Sequence, residues 1–104
     1  MKTKKIWCMM VRIKKNDNYE GKRMYQVILD ILRNSNISGA TVWTGVAGFG
    51  KRGDSNFKIE GVSINMPLVI EVIEDISKVE NILPEIKKVV GDNGLVTLHE
   101  IDVI

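Results

Sequence analysis

Cysteine and histidine occur once each among these 104 residues, and their scarcity excludes whole classes of chemistry. A lone thiol, Cys8, forms no intrachain disulfide. One cysteine and one histidine form no Cys/His zinc cluster within a chain. Inside "IWCMMV" Cys8 reads as a small buried hydrophobe, not a reactive thiol. His99, on a predicted edge strand, reads as a surface or interface residue. Charge of one sign is also scarce: 15 Lys+Arg against 13 Asp+Glu leave a net +2. That bias is too small to suggest nucleic acid without a clustered basic face, so nucleic acid is not an expected partner. Aromatic residues make up 6% of the chain, and the third predicted strand, "LVIEVI", has none on which to stack a base. Near the N-terminus the apolar run 6–11 spans six residues before Arg12 ends it, too short for the h-region of a signal peptide. No run reaches the ~20 residues of a membrane span. These absences predict a cytoplasmic location. No general acid–base pair is evident either, so an enzyme is not expected.

The rest is an ordinary globular balance, 44% hydrophobic and 27% charged, at a length that predicts one domain over 1–104. A domain this small buries a modest share of its surface, which favours oligomerisation. Residues 6–13 are apolar on both faces of a strand. Residues 20–35 place Met24, Val27, Ile28, Ile31 and Leu32 at helical spacing, with stop signals at Asn34, Ser35, Asn36 and Gly39. A second strand is predicted over 40–46 and a third over 67–73, apolar on both faces except Glu71. In the second, Trp43 reads as a core or subunit contact. A second helix over 75–90 carries Ile76, Val79, Leu83, Ile86 and Val90 on one stripe. Ser77 and Glu80 suggest a capping box, Asp75 a competing cap, and Pro84 a kink or break. After the turn signal "GDNG" a last strand runs over 95–103.

The order β-α-β-β-α-β predicts an α+β, ferredoxin-like fold: an antiparallel four-stranded sheet, first and third strands central, with two helices on one face. Two helices cover one side only. The apolar character of the other side predicts that it packs against further copies.

The connection 47–66 is long for a hairpin, and its part 47–61 holds Gly48, Gly50, Gly53 and Gly61 with the cations Lys51, Arg52 and Lys58. "VSINM" (62–66) alternates and extends the third strand in this reading. Gly48, Gly50 and Gly53 free the backbone to expose N–H groups, and Lys51 and Arg52 add charge beside them. Two readings stand side by side: an anion-binding nest, or a mobile loop with solvated cations. Without ligand, residues 50–60 are expected to be mobile and open to proteolysis near Lys51, Arg52 or Lys58. No helix follows the G-x-G, so the dinucleotide and P-loop fingerprints do not apply.

"GATVWTGVAGFGKRGD" (39–54) and "MPLVIEVIEDISKVENILPEIKKVVGDNGLVTLHEIDVI" (66–104) resemble the PII signalling superfamily, and within it domain of unknown function family 190. The resemblance implies a homotrimer with adenine nucleotides in clefts between subunits. It also implies a loop that reports the ligand to a target protein such as a membrane transporter or an enzyme. By position, Gly39, Ala40 and Thr41 match the strand start that lines the adenine cleft. Gly48, Phe49, Gly50, Lys51 and Arg52 match the base of the signalling loop. Gly91, Asp92 and Gly94 match the phosphate-cradling loop. The chain departs from the pattern where Leu95 replaces a basic residue and where His99, Glu100 and Asp102 occupy a strand that brings arginines in PII proteins. The expectation is a less charged adenylate: 45–53, the main remaining source of positive charge, helps hold its anionic end, 39–41 admit its base, and Gly50→Val weakens binding if Gly50 needs positive φ. Two alternatives are an acylphosphatase-like enzyme, whose G-V-x-F-R turn would be misplaced here after the second strand, and a structural oligomer with an inert loop.

Overall fold

The computed structural model describes residues 4–56 and 65–104. Strands β1 (Lys4–Lys14), β4 (Thr41–Thr44), β7 (Pro67–Glu74) and β8 (Leu95–Val103) form one antiparallel sheet in the order β4-β7-β1-β8. Helices α1 (Met24–Asn34) and α2 (Ile76–Val90) pack together on one face of it. This is the predicted ferredoxin-like arrangement, with the two doubly apolar strands at its centre. Two short ribbons join it: β2 (Asn18–Tyr19) with β3 (Lys22–Arg23), and β5 (Ala47–Gly50) with β6 (Gly53–Asn56).

Alternation decides the layers. Met9, Val11 and Ile13 of β1 and Leu68, Ile70 and Val72 of β7 sit cross-strand from one another and point at the helices. They meet Met24, Ile28 and Leu32 of α1 and Val79, Ile82, Ile86, Val89 and Val90 of α2. Each such fully buried aliphatic side chain stabilises the fold by roughly 1.5–3 kcal/mol. The intervening residues face away from the helices. There Ile6 and Cys8 are buried among their sheet neighbours, while Trp43 is 58% and Leu95 61% exposed. Burial pushes the Cys8 thiol above its ordinary pKa, with Glu71 adding to the shift, so it stays protonated. This is the face for which the sequence predicts contact with further copies.

Several local expectations need correction. The first helix begins at Met24, not near Glu20, because Glu20 (φ 49) and Gly21 (φ 83) take left-handed backbone in the β2–β3 turn. Pro84 lies inside α2 without ending it. It is exposed, as is Glu80 one turn earlier, so the carbonyl that loses its N–H partner faces solvent. Asp75, not Ser77, is the N-cap of α2, and no side chain caps it. The Asp75 carboxylate is drawn instead to Lys4, 2.8 Å away. No strand covers Asn65 or Met66, and 62–64 lie outside the described residues. Among the described residues, no helix is long and apolar enough to cross a membrane.

Candidate functional site

Where β4 ends, the chain must leave the sheet beside the start of β7. The Gly45 N–H donates to the Pro67 carbonyl at 2.8 Å. A Cβ at position 45 would lie 2.6 Å from Pro67 Cγ, so a side chain there would collide with the ring. From this crossing, residues 47–56 rise as an arm, read from the sequence as loop but paired as β5 and β6. Gly50 and Gly53 pair across the Lys51–Arg52 turn. Gly53 has φ +101, whereas Gly50 is not among the positive-φ glycines. The expectation of positive φ therefore moves from Gly50 to Gly53. Residues 57–60, part of the segment expected to be mobile, lie outside the described residues, as does Gly61.

At the other side of the sheet end, β8 enters close against β1. A Cβ on Gly94 would stand 2.4 Å from the Arg12 carbonyl oxygen and 2.9 Å from Ile13 Cγ2. Glycine alone lets the 93–95 turn sit there. Arm, β1 end, β7 start and turn together enclose a cleft of about 550 Å³. Arg12, Lys14, Lys51 and Arg52 line it with Phe49, Pro67 and Gly94. Of the predicted site residues, Gly48, Phe49, Gly50, Lys51, Arg52 and Gly94 thus converge.

Two groups do not join them. Gly91 (φ 60) closes the C-terminus of α2, its N–H donating to the Lys87 carbonyl at 2.9 Å; neither it nor Asp92 lines the cleft. Gly39, Ala40 and Thr41 line a separate hollow of about 400 Å³ with Ser38, Glu71 and Ile73. That hollow is fixed by a residue whose role the sequence did not signal. Glu74 is 7% exposed and accepts from the Ser38 N–H (2.8 Å) and hydroxyl (2.6 Å). These bonds hold its carboxyl well below the usual 4.5, at about 2.

The electrostatics also differ from the sequence expectation. Arg52 is not a solvated cation. Its Nη1 and Nη2 donate to the two carboxylate oxygens of Asp17 at 2.8 and 2.9 Å. Burial pushes the Asp17 carboxyl up, but the Arg52 bonds and the Lys14 backbone N–H outweigh it and keep the group below its ordinary value. Charge at the cleft does not come mainly from 45–53 either, since β1 adds Arg12 and Lys14. Arg12 also bridges its sheet face to Thr97 Oγ1 at 3.1 Å. Nothing in the sequence signals Asp17, Arg12 or Lys14 here, because each is remote in the chain from the glycine-rich arm.

Residues 6–103 match the family model of DUF190, described as "Uncharacterized ACR, COG1993". The chain belongs to this family. It is 36% identical over 90 residues to a UPF0166 protein of Methanocaldococcus jannaschii, covering 86% of this chain and 83% of that one. A UPF0166 protein of Aquifex aeolicus is 33% identical over 90 residues, covering 86% and 84%. Among solved structures, the DUF190 chain is similar in fold to CPII, a nitrogen regulatory PII-like protein from Thiomonas intermedia K12. In its complex with ADP, AMP and bicarbonate, CPII superposes with a TM-score of 0.77 at 16% identity, over 98% of this chain and 91% of that one. Its apo form gives 0.70 at 14% identity, over 98% and 95%. The fold of this DUF190 chain is therefore the PII-like one, as the resemblance implied.

Proposed function

We propose that this DUF190 chain is a homotrimeric PII-like sensor that takes the anionic end of an adenine nucleotide in the cleft under the β5–β6 arm. The observation that carries the reading is the convergence there of glycine backbone, from 48, 50 and 94, with the cations Arg12, Lys14 and Lys51. The CPII structures with ADP and AMP support the ligand class. In this reading Gly39, Ala40 and Thr41 complete the site from a neighbouring copy and receive the base. The exposed apolar side of the sheet supplies the subunit contact. Arm position reports occupancy to a target protein, such as a membrane transporter or an enzyme. No chemical step is involved, and steady release of phosphate from an acyl phosphate would overturn that part.

Calorimetry against AMP, ADP and ATP tests the ligand. At least one is expected to bind, and Lys51→Ala is expected to weaken it about tenfold, the scale of one charge-assisted contact. Light scattering is expected to give three times 11.7 kDa. A stable monomer at micromolar concentration, or no binding of any adenine nucleotide, would remove the reading.

A further inference from the structure

We infer that Asp17 is a specificity-determining residue: it neutralises Arg52 in the wall of the arm cleft and turns the site toward ligands of low negative charge, a nucleoside monophosphate before a triphosphate. The inference rests on the reading above that this cleft holds an anion.

The cleft wall carries four cations, Arg12, Lys14, Lys51 and Arg52. Asp17 is not among the lining residues, so it acts through Arg52. Both terminal nitrogens of the guanidinium are committed to it, at 2.8 and 2.9 Å. The carboxylate cannot readily swing away. It accepts from the Lys14 N–H at 2.9 Å, and its own backbone is tied to Lys14 (3.1 Å) and to Met24 (2.8 Å). The Asp17 side chain is 9% exposed and that of Arg52 is 32% exposed. Taking Arg52 from so enclosed a carboxylate would leave a charge uncompensated, which costs far more than separating an exposed pair. Among the described residues, an entering phosphate therefore meets three cations without a carboxylate partner and one that is already neutralised. Each further negative charge on a ligand gains less here than the count of basic residues implies.

The test is the ratio of ATP to AMP affinity, measured by calorimetry at low salt on the full chain and on D17N, R52Q and D17N/R52Q. Asp17→Asn keeps the shape and frees the Arg52 charge, so the ratio rises about tenfold, the effect of one cation on two further charges through water. Arg52→Gln leaves the Asp17 charge uncompensated, so the ratio falls below wild type. The double variant comes back down from D17N. A pair that merely clamps the arm would shift both single variants in the same direction. That outcome, or a ratio unchanged in both, overturns the inference. Thermal unfolding checks that each variant is folded. If D17N is not, R52Q decides: a raised or unchanged ratio overturns the inference.

The series is repeated with inorganic phosphate and tripolyphosphate. If these bind where no adenine nucleotide does, the adenylate reading falls, while opposite shifts in their ratio still support the role of Asp17. If no anion binds any of the proteins, both fall.

Discussion

Two carboxylates, one at each end of the β4–β7 pair, fix the chain beside them by different means. Glu74 holds the segment before β4 with an uncharged partner, the N–H and hydroxyl of Ser38, from an almost wholly buried position. Asp17 holds the arm tip after β4 with a charged partner, Arg52, that is one-third exposed. The first device orders a hollow and stabilises its charge mainly by hydrogen bonds, with a longer ion pair to Lys78 at 3.8 Å. The second orders an arm and consumes a cation of the cleft. A carboxylate held mainly by hydrogen bonds responds little to salt, whereas an ion pair with one partly exposed partner responds more to ions and to other charges. The arm is thus the end of the molecule where a charged ligand could be felt.

The largest effect that would break this contrast is loss of the buried carboxylate. Glu74→Ala leaves the Ser38 donors unpaired and is expected to lower stability by about 2–3 kcal/mol in urea denaturation. Asp17→Ala is expected to cost less, about 1–2 kcal/mol, because the exposed side of Arg52 can regain water. A larger loss for Asp17 would reverse the ranking of the two ends. Acid sharpens the same point. The Glu74 carboxyl sits at about 2 in the fold against an ordinary 4.5. Its contribution to stability is full above pH 4.5 and is lost as pH falls toward 2. Unfolding followed across that range should show a shallower acid slope in Glu74→Gln than in wild type; equal slopes would remove Glu74 as the cause.

A steric effect separates the base of the arm from its tip. Gly45→Ala drives a methyl against Pro67 and is expected to cost about 1–3 kcal/mol. Gly50→Ala meets nothing within 4 Å and is expected to stay within about 0.5 kcal/mol. Equal melting temperatures for the two variants would mean that the arm is not built around the Pro67 crossing. The smallest effect is ionic. At ~1 M salt the cost of Asp17→Asn should shrink by a few tenths of a kcal/mol, while that of Glu74→Gln changes less. Denaturation at low and high salt measures both.

The positions of the strands and helices were legible because burial imposes a period. Met24, Ile28 and Leu32 repeat as a helix must, and strands 6–13 and 67–73 read as central because both of their sides are apolar. Local chemistry was less legible where two signals competed. Ser77 and Glu80 had the spacing of a cap, but a cap depends on where the backbone first turns, and that point was Asp75. Pro84 had the character of a breaker, yet its missing hydrogen bond fell on the wet side of α2. The arm looked like loop because "AGFG" has almost no side chains to alternate, and its pairing lies in the backbone.

The sequence by itself determined the ferredoxin-like layers and the family, and its contiguous motifs held six residues that line the cleft: Gly48, Phe49, Gly50, Lys51, Arg52 and Gly94. These follow from periodicity and from contiguous motifs, which need no knowledge of distant neighbours. Only the tertiary structure decided that Gly39, Ala40 and Thr41 belong to a different hollow of the protomer, that Arg12 and Lys14 join the cleft, and that Arg52 is already paired. Asp17 and Arg52 are 35 positions apart. Charge pairing acts over a few ångströms of space, so it became readable only once the fold had brought the β1–β2 turn under the tip of the arm.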